Sequence, residues 1–306
     1  LRLFKTVFLV FLYLFLISYS FGQVPSQNNK VGKLEIKTNM STIKKHKQFS
    51  SKFVDARNID VWLPPDYEQN KDEKYPVLYM HDGQNLFEPE TSYGGIDWGV
   101  DEAMVELIKD NKVRPAIVVG IWNSPKRVAE YMPQKAVPNK KVEELSGITI
   151  KSQDDICSDN YLKFIVYELK PFIDSNYRTL TDQENTFIMG SSMGGLISAY
   201  AISEYPNVFG GAGCVSTHWP AGSGAVIEYL RTALPDPKTH KIYFDYGTET
   251  LDSLYEPYQK KMDQIMKTLG YQDGKNWVTK KFEGAEHSER AWRERVHIPL
   301  IFLLHK

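Results

Sequence analysis

Cysteine is nearly absent: the 306 residues hold two, Cys157 and Cys214. Two thiols so far apart cannot build a disulfide framework or a thiolate metal centre, and they allow one bridge at most. A charge excess is also lacking. Lysine plus arginine number 37 against 38 for aspartate plus glutamate, a formal charge of −1. With no basic surplus to grip a phosphate backbone, the composition speaks against nucleic acid as a partner. There is no internal repeat, no low-complexity block and no linker long enough to separate two domains. What remains is an ordinary globular composition, 42% hydrophobic and 25% charged with 20 glycines and 16 prolines. On length, that supports one large core.

The one long apolar run stands at the start. Arg2 and Lys5 precede the apolar residues 6–17, and small residues gather at Ser18, Ser20 and Gly22. That order is expected of a secretory signal peptide, and the run is short for the ~20 residues of a bilayer span. Residues 1–22 are therefore expected to be removed, leaving 23–306 as a single domain without stable membrane insertion. Its expected place is the periplasm or the extracellular space.

Beyond a polar stretch to about residue 30, apolar runs of strand length alternate with helix-patterned stretches. Strands are expected at 34–37, 58–63, 76–80, 116–121, 186–189, 213–216, 241–246 and 277–282. Helices are expected at 99–109, 159–175, 193–204, 224–231, 254–269 and 288–304. This alternation predicts an α/β protein with a mostly parallel eight-stranded sheet and helices on both faces. Residues 123–151 are irregular and charged, the pattern of a surface insertion near a site.

The strongest local signal is Thr186-Phe187-Ile188-Met189 followed by Gly190-Ser191-Ser192-Met193-Gly194-Gly195. An apolar strand, a Gly-x-Ser-x-Gly turn and a helix form a nucleophile elbow, in which the glycines make room and the serine projects above the sheet. Ser192 is then the candidate nucleophile. Its partners should follow in the order acid, then histidine. His287 sits between an expected strand and an expected helix, in the loop after 277–282, at the sheet edge where Ser192 lies. The acid falls in the loop after 241–246, where Asp252 is the first choice and Glu249 the second. An oxyanion needs two N–H donors, here assigned to Met193 and to Gln84 in His81-Asp82-Gly83-Gln84. His218 and Trp219 follow the strand 213–216 and Trp98 follows the oxyanion loop, so all three are candidate substrate-binding residues at the same edge, with packing in the core as the alternative for the aromatic rings. Arg127 is read mainly as a solvated charge. His81, Asp82 and His218 lack the ligand spacing of a metallohydrolase, and no carboxylate pair suits a glycosidase.

These motifs resemble the α/β-hydrolase serine esterases that include enterochelin-type siderophore esterases, feruloyl and acetyl-xylan esterases of carbohydrate esterase family one, and bacterial mycolyltransferases. The resemblance runs from about residue 58 to 304. It rests on Tyr79 to Phe87, on Gly190 to Gly195, on Gly247-Thr248 with Asp252-Ser253-Leu254, and on Glu286-His287-Ser288 before Trp292. It implies an α/β-hydrolase fold, Ser192 as nucleophile, His287 as base, oxyanion donors at Gln84 and Met193, no cofactor and no metal. The chain departs from it at the acid: feruloyl-type members carry Asp directly after Gly-Thr-Asn, whereas Asp252 requires two extra residues. The implied activity is hydrolysis of a small-molecule or carbohydrate ester through an acyl-enzyme. Acyl transfer to a sugar or lipid, and a silent binding protein on this scaffold, are the alternatives. Oligomeric state is not legible.

Overall fold

The computed structural model describes residues 41–137 and 155–305. The expected signal peptide, the expected strand at 34–37 and residues 138–151 of the expected insertion lie outside these residues. Among the described residues, eight strands form one sheet: β1 (Thr42–Phe49), β2 (Arg57–Leu63), β3 (Val77–His81), β4 (Ile117–Ile121), β5 (Thr186–Ser191), β6 (Gly211–Val215), β7 (Lys241–Gly247) and β8 (Trp277–Phe282). Their order is β1-β2-β4-β3-β5-β6-β7-β8, and β2 alone runs against the others. The sheet is thus mostly parallel, as the alternation predicts.

Strands β3, β4 and β5 are buried along their whole length, which is why they read as continuous apolar runs rather than alternating ones. Successive residues still face opposite layers. Tyr79 and Ile188 pack with Leu196, Tyr200 and Phe164 on one face. Leu78, Met80, Phe187 and Met189 pack with Met104, Trp292 and Leu300 on the other.

The helices that supply the first layer include α3 (Ser158–Phe164), α4 (Lys170–Asn176) and α5 (Met193–Glu204), with α6 (Ala225–Ala233) and α7 (Glu256–Thr268). The second layer is built by α1 (Val100–Lys109), α8 (Glu289–Arg295) and α9 (His297–Leu304), while the short α2 (Arg127–Tyr131) lies in the expected insertion.

Three expectations need correction. Strand β1, which the sequence reading omits, is one of the eight among the described residues. Its sequence, Thr-Ile-Lys-Lys-His-Lys-Gln-Phe, is mostly exposed, the charged pattern of a protected sheet edge. The expected helix at 159–175 contains a π-helical turn at Ile165–Leu169, and the expected helix at 288–304 is two abutting helices.

Chain reversal around β3 positions the site. From β3 the chain moves outward to β4, and from β5 it moves the other way to β6. The loops leaving β3 and β5 therefore open a crevice at the carboxyl edge, where open α/β sheets bind ligands.

Candidate active site

Strand β5 ends at Ser191 and α5 begins at Met193, so Ser192 alone makes the turn, with φ 58 and ψ −120. A side-chain-bearing residue in that region costs on the order of 1–3 kcal/mol and persists only where neighbours hold it. Here the Ser192 amide donates to Val215 O at 2.9 Å, and its carbonyl accepts the His218 amide at 3.1 Å. The glycines divide the labour differently from the expectation. A Cβ on Gly190 would sit 3.0 Å from the backbone of Gly194, and one on Gly195 would sit 2.7 Å from Thr217 Oγ1. One on Gly194 would meet nothing closer than His81 Cβ at 3.4 Å. Gly190 and Gly195 are the positions that need hydrogen, whereas a Cβ at Gly194 would make only ordinary contact.

His287 arrives in the loop after β8, which is stitched to the loop after β7. Ala285 O accepts the amides of Thr248 and Glu249, both at 3.0 Å. The His287 amide donates to Thr250 Oγ1 at 2.8 Å, and Ser288 then caps α8 by accepting from the Ala291 amide. A short 3-10 turn at Thr250–Leu254 absorbs the two extra residues and swings Asp252 back. Its Oδ1 lies 2.6 Å from His287 Nδ1, while Oδ2 accepts the Ser216 hydroxyl and the Gly247 amide, each at 2.6 Å. Burial at 1% exposure pushes the Asp252 carboxyl up. The hydrogen bonds from His287, Ser216 and Gly247 outweigh that and hold it below the usual carboxylate range. Glu249 is exposed at the start of the same turn, so the carboxylate at the imidazole is Asp252.

Beyond β3, Asp82 takes the left-handed conformation, φ 56, and Gly83 does not. Gly83 is glycine for a different reason: its Cβ would lie 2.4 Å from the Gly120 carbonyl carbon on β4. This contact presses the loop against the sheet and sets Gln84 over the crevice. Thr91 and Ser92 hydroxyls donate to Gln84 O at 2.6 and 3.2 Å, and the Asn123 amide donates to its Oε1 at 3.2 Å. Asp82 itself receives Arg127 through Nε and a terminal nitrogen, both at 2.7 Å, and Asn123 Nδ2 at 2.7 Å. Burial raises the Asp82 carboxyl, but Arg127 and Asn123 reverse this and keep it ionised. Arg127 is thus not a solvated surface charge.

These loops enclose a cavity of about 410 Å³ lined by Asp82, Gln84, Asn123, Arg127, Ser192 and His287, with Tyr93, Glu289 and Trp292. A larger hollow of about 810 Å³ lies by His240 and Lys241, where β7 begins. The chemistry is in the smaller one, because the smaller one alone joins a strained serine to an imidazole with a carboxylate behind it.

Trp98 and Trp219 do not wall this cavity, contrary to expectation. Trp98 is 3% exposed and packs on Trp292 with ring centroids 5.4 Å apart. Trp219 is 1% exposed, packs on Phe244 and donates to Gln259 Oε1 at 2.7 Å. Both rings serve the core. His218 lies behind Ser192, its Nδ1 2.6 Å from the Tyr255 hydroxyl. Burial, then the neighbouring His287 and Arg127, pulls its pKa down to about 4, so it stays neutral. His81 pairs with Tyr161 at 2.8 Å, so His81, Asp82 and His218 each have a different partner. The aromatic residues that do line the cavity are Tyr93 and Trp292, and Trp292 meets the His287 ring edge to face at 4.9 Å. The sequence reading assigns no role to Tyr255 or to the Ser216 hydroxyl, whose partners His218 and Asp252 lie tens of residues away; Arg127, read mainly as a solvated charge, meets Asp82 across 45 residues. Cys157 and Cys214 are free thiols.

Residues 50–300 match the model of the esterase family described as "Putative esterase". Among curated proteins, the chain is 29% identical over 194 residues to an endo-1,4-beta-xylanase/feruloyl esterase of Xylanibacter ruminicola, covering 61% of this chain and 22% of that protein. Among solved structures it is similar to the CE1 ferulic acid esterase of Anaeromyces mucronatus, with TM-score 0.61 and 19% identity over 86% of this chain and 89% of that one. It is also similar to the enterobactin esterase FES of Shigella flexneri, with TM-score 0.62 and 18% identity over 86% and 58%. The structural likenesses establish the fold, and the family match covers most of the length. The chain belongs to this esterase family and is a carboxylic ester hydrolase with an α/β-hydrolase fold.

Proposed function

We propose that hydrolysis proceeds through an acyl-enzyme on Ser192. His287 Nε2 takes the Ser192 proton, the serine oxygen attacks the ester carbonyl, and the oxyanion is received by the amides of Gln84 and Met193. Collapse expels the alcohol, protonated by His287, and water repeats the sequence to free the acid. Asp252 holds the imidazole and stabilises its charged form. The reading rests on one observation above the others: the 2.6 Å pairing of Asp252 with His287 at a cavity that Ser192 also lines.

The substrate proposed is a polar ester, a carbohydrate acetate or feruloyl sugar first and a siderophore-type ester second. Asp82, Gln84, Asn123, Arg127 and Glu289 give the cavity a hydrogen-bonding wall rather than an acyl-chain tunnel. Export is proposed from the pattern of residues 1–22. Acetylated xylan, feruloyl sugar, cyclic catecholate and p-nitrophenyl esters should be offered to wild type and Ser192→Ala. Turnover lost in the variant supports the reading; equal turnover removes it. Product appearing on an added sugar acceptor in preference to water would favour acyl transfer by the same residues.

A further inference from the structure

Ser216 follows β6 and is fully buried, with φ 39, a strained backbone for a serine. Its hydroxyl oxygen lies 2.6 Å from Asp252 Oδ2, 3.0 Å from Trp292 Nε1 and 2.8 Å from a terminal nitrogen of Arg295. A hydroxyl has one proton and two lone pairs, whereas indole and guanidinium groups only donate. Trp292 and Arg295 therefore fill both lone pairs. The proton is left one acceptor, Asp252 Oδ2.

That oxygen also takes the Gly247 amide, so Oδ2 is committed to two donors and Oδ1 is left for His287. An imidazole facing this carboxylate must carry its proton on Nδ1, which leaves Nε2 as the acceptor toward Ser192. Arg295 is itself anchored. Asp245 Oδ1 lies 3.3 Å from it and accepts the Ser216 amide at 3.0 Å, and Asp245 Oδ2 accepts the Tyr243 hydroxyl at 2.9 Å. The same guanidinium stands 3.9 Å from Asp252 Oδ2, one cation between two buried carboxylates.

We propose that Ser216 is a positioning residue: its hydroxyl, oriented by Trp292 and Arg295, fixes Asp252 and through it the tautomer of His287. The proposal rests on the serine-esterase reading and adds a residue that touches neither substrate nor Ser192. Other groups near His287 are Tyr255, whose hydroxyl is 3.5 Å from Nδ1, and the charged or titratable Glu289, His218, Arg127 and Asp82. None of them reaches Asp252 Oδ2 within hydrogen-bonding distance.

The test uses Ser216→Ala and Ser216→Gly in the full chain with 15N-labelled histidine. Glycine relieves the positive φ, so it supplies a folded variant even if alanine does not. Expected are a kcat lower by roughly ten- to a hundredfold, a KM within twofold, and a His287 Nδ1–H proton resonance that moves upfield and exchanges faster with water. A folded variant that keeps either the resonance or kcat unchanged overturns the proposal, including one that merely melts earlier. The resonance is read without substrate. Absence of turnover and of fluorophosphonate labelling in the wild type would therefore defeat the esterase reading while leaving the resonance to decide on Ser216.

Discussion

Asp252→Asn separates the roles of charge and geometry with little change of shape. The Oδ2 position faces two donors, the Gly247 amide and the Ser216 hydroxyl, each at 2.6 Å. In the variant only the carboxamide oxygen fits there, so its NH2 turns toward His287. Imidazole Nδ1 must then accept, Nε2 carries the proton, and the ring can no longer take one from Ser192. Replacing a triad acid by its amide in this way lowers kcat by about 10⁴, which is about 5.5 kcal/mol of transition-state stabilisation. Steady-state hydrolysis of p-nitrophenyl acetate reads the loss, with thermal melting to establish folding. Glu249→Gln, on the exposed neighbour, is the control and should stay within twofold. The reasoning is refuted if folded Asp252→Asn retains activity within tenfold of wild type, or if Glu249→Gln is equally damaging.

Other consequences are as direct. Gly190→Ala places a Cβ 3.0 Å from the Gly194 backbone and should cost about 1–3 kcal/mol in urea denaturation and displace the elbow. Gly194→Ala should cost less, and the reverse ranking would contradict the packing. Burial pulls the pKa of His81 to about 3 and that of His218 to about 4. Unfolded histidines bind protons near about pH 6.5 that these two refuse, so stability is full above that pH and is lost as pH falls toward the folded values. The slope is up to about 1.4 kcal/mol per pH unit for each histidine, and His218→Gln should flatten it; an unchanged slope would argue that His218 titrates freely. Arg57 and Glu130 form a buried ion pair, each 1% exposed, and Glu130 also accepts from Ser124 at 2.9 Å. Removing Arg57 alone should therefore destabilise by about 3–5 kcal/mol, and a melting point near that of wild type would show that the carboxylate finds another partner.

Local chemistry explains which features were legible in the sequence. The elbow helix begins at Met193 and ends at Glu204, as read, because the Gly-x-Ser-x-Gly turn and the apolar strand before it leave one arrangement. Order along the chain sufficed to nominate Asp252 and His287 as neighbours, although they are 35 residues apart. Burial direction was not legible: nothing in the composition around Trp98 or Trp219 says that their rings turn into the core. Edge strand β1 was missed because its lysines suppress the apolar signal. Arg127 read as surface because its counter-ion, Asp82, is 45 residues earlier, and Ser216 joins Arg295 across 79 residues. Such pairs are set by the sheet order, which brings the loops after β3, β5, β6, β7 and β8 to one edge.

The central claim is that Ser192 carries the acyl group, and trapping that group tests it most directly. Wild-type enzyme mixed with a p-nitrophenyl ester and quenched in acid should yield, by peptide mass spectrometry, an acyl adduct on Ser192 that is absent from Ser192→Ala. An adduct on a different residue, or sustained turnover by Ser192→Ala, would contradict the account.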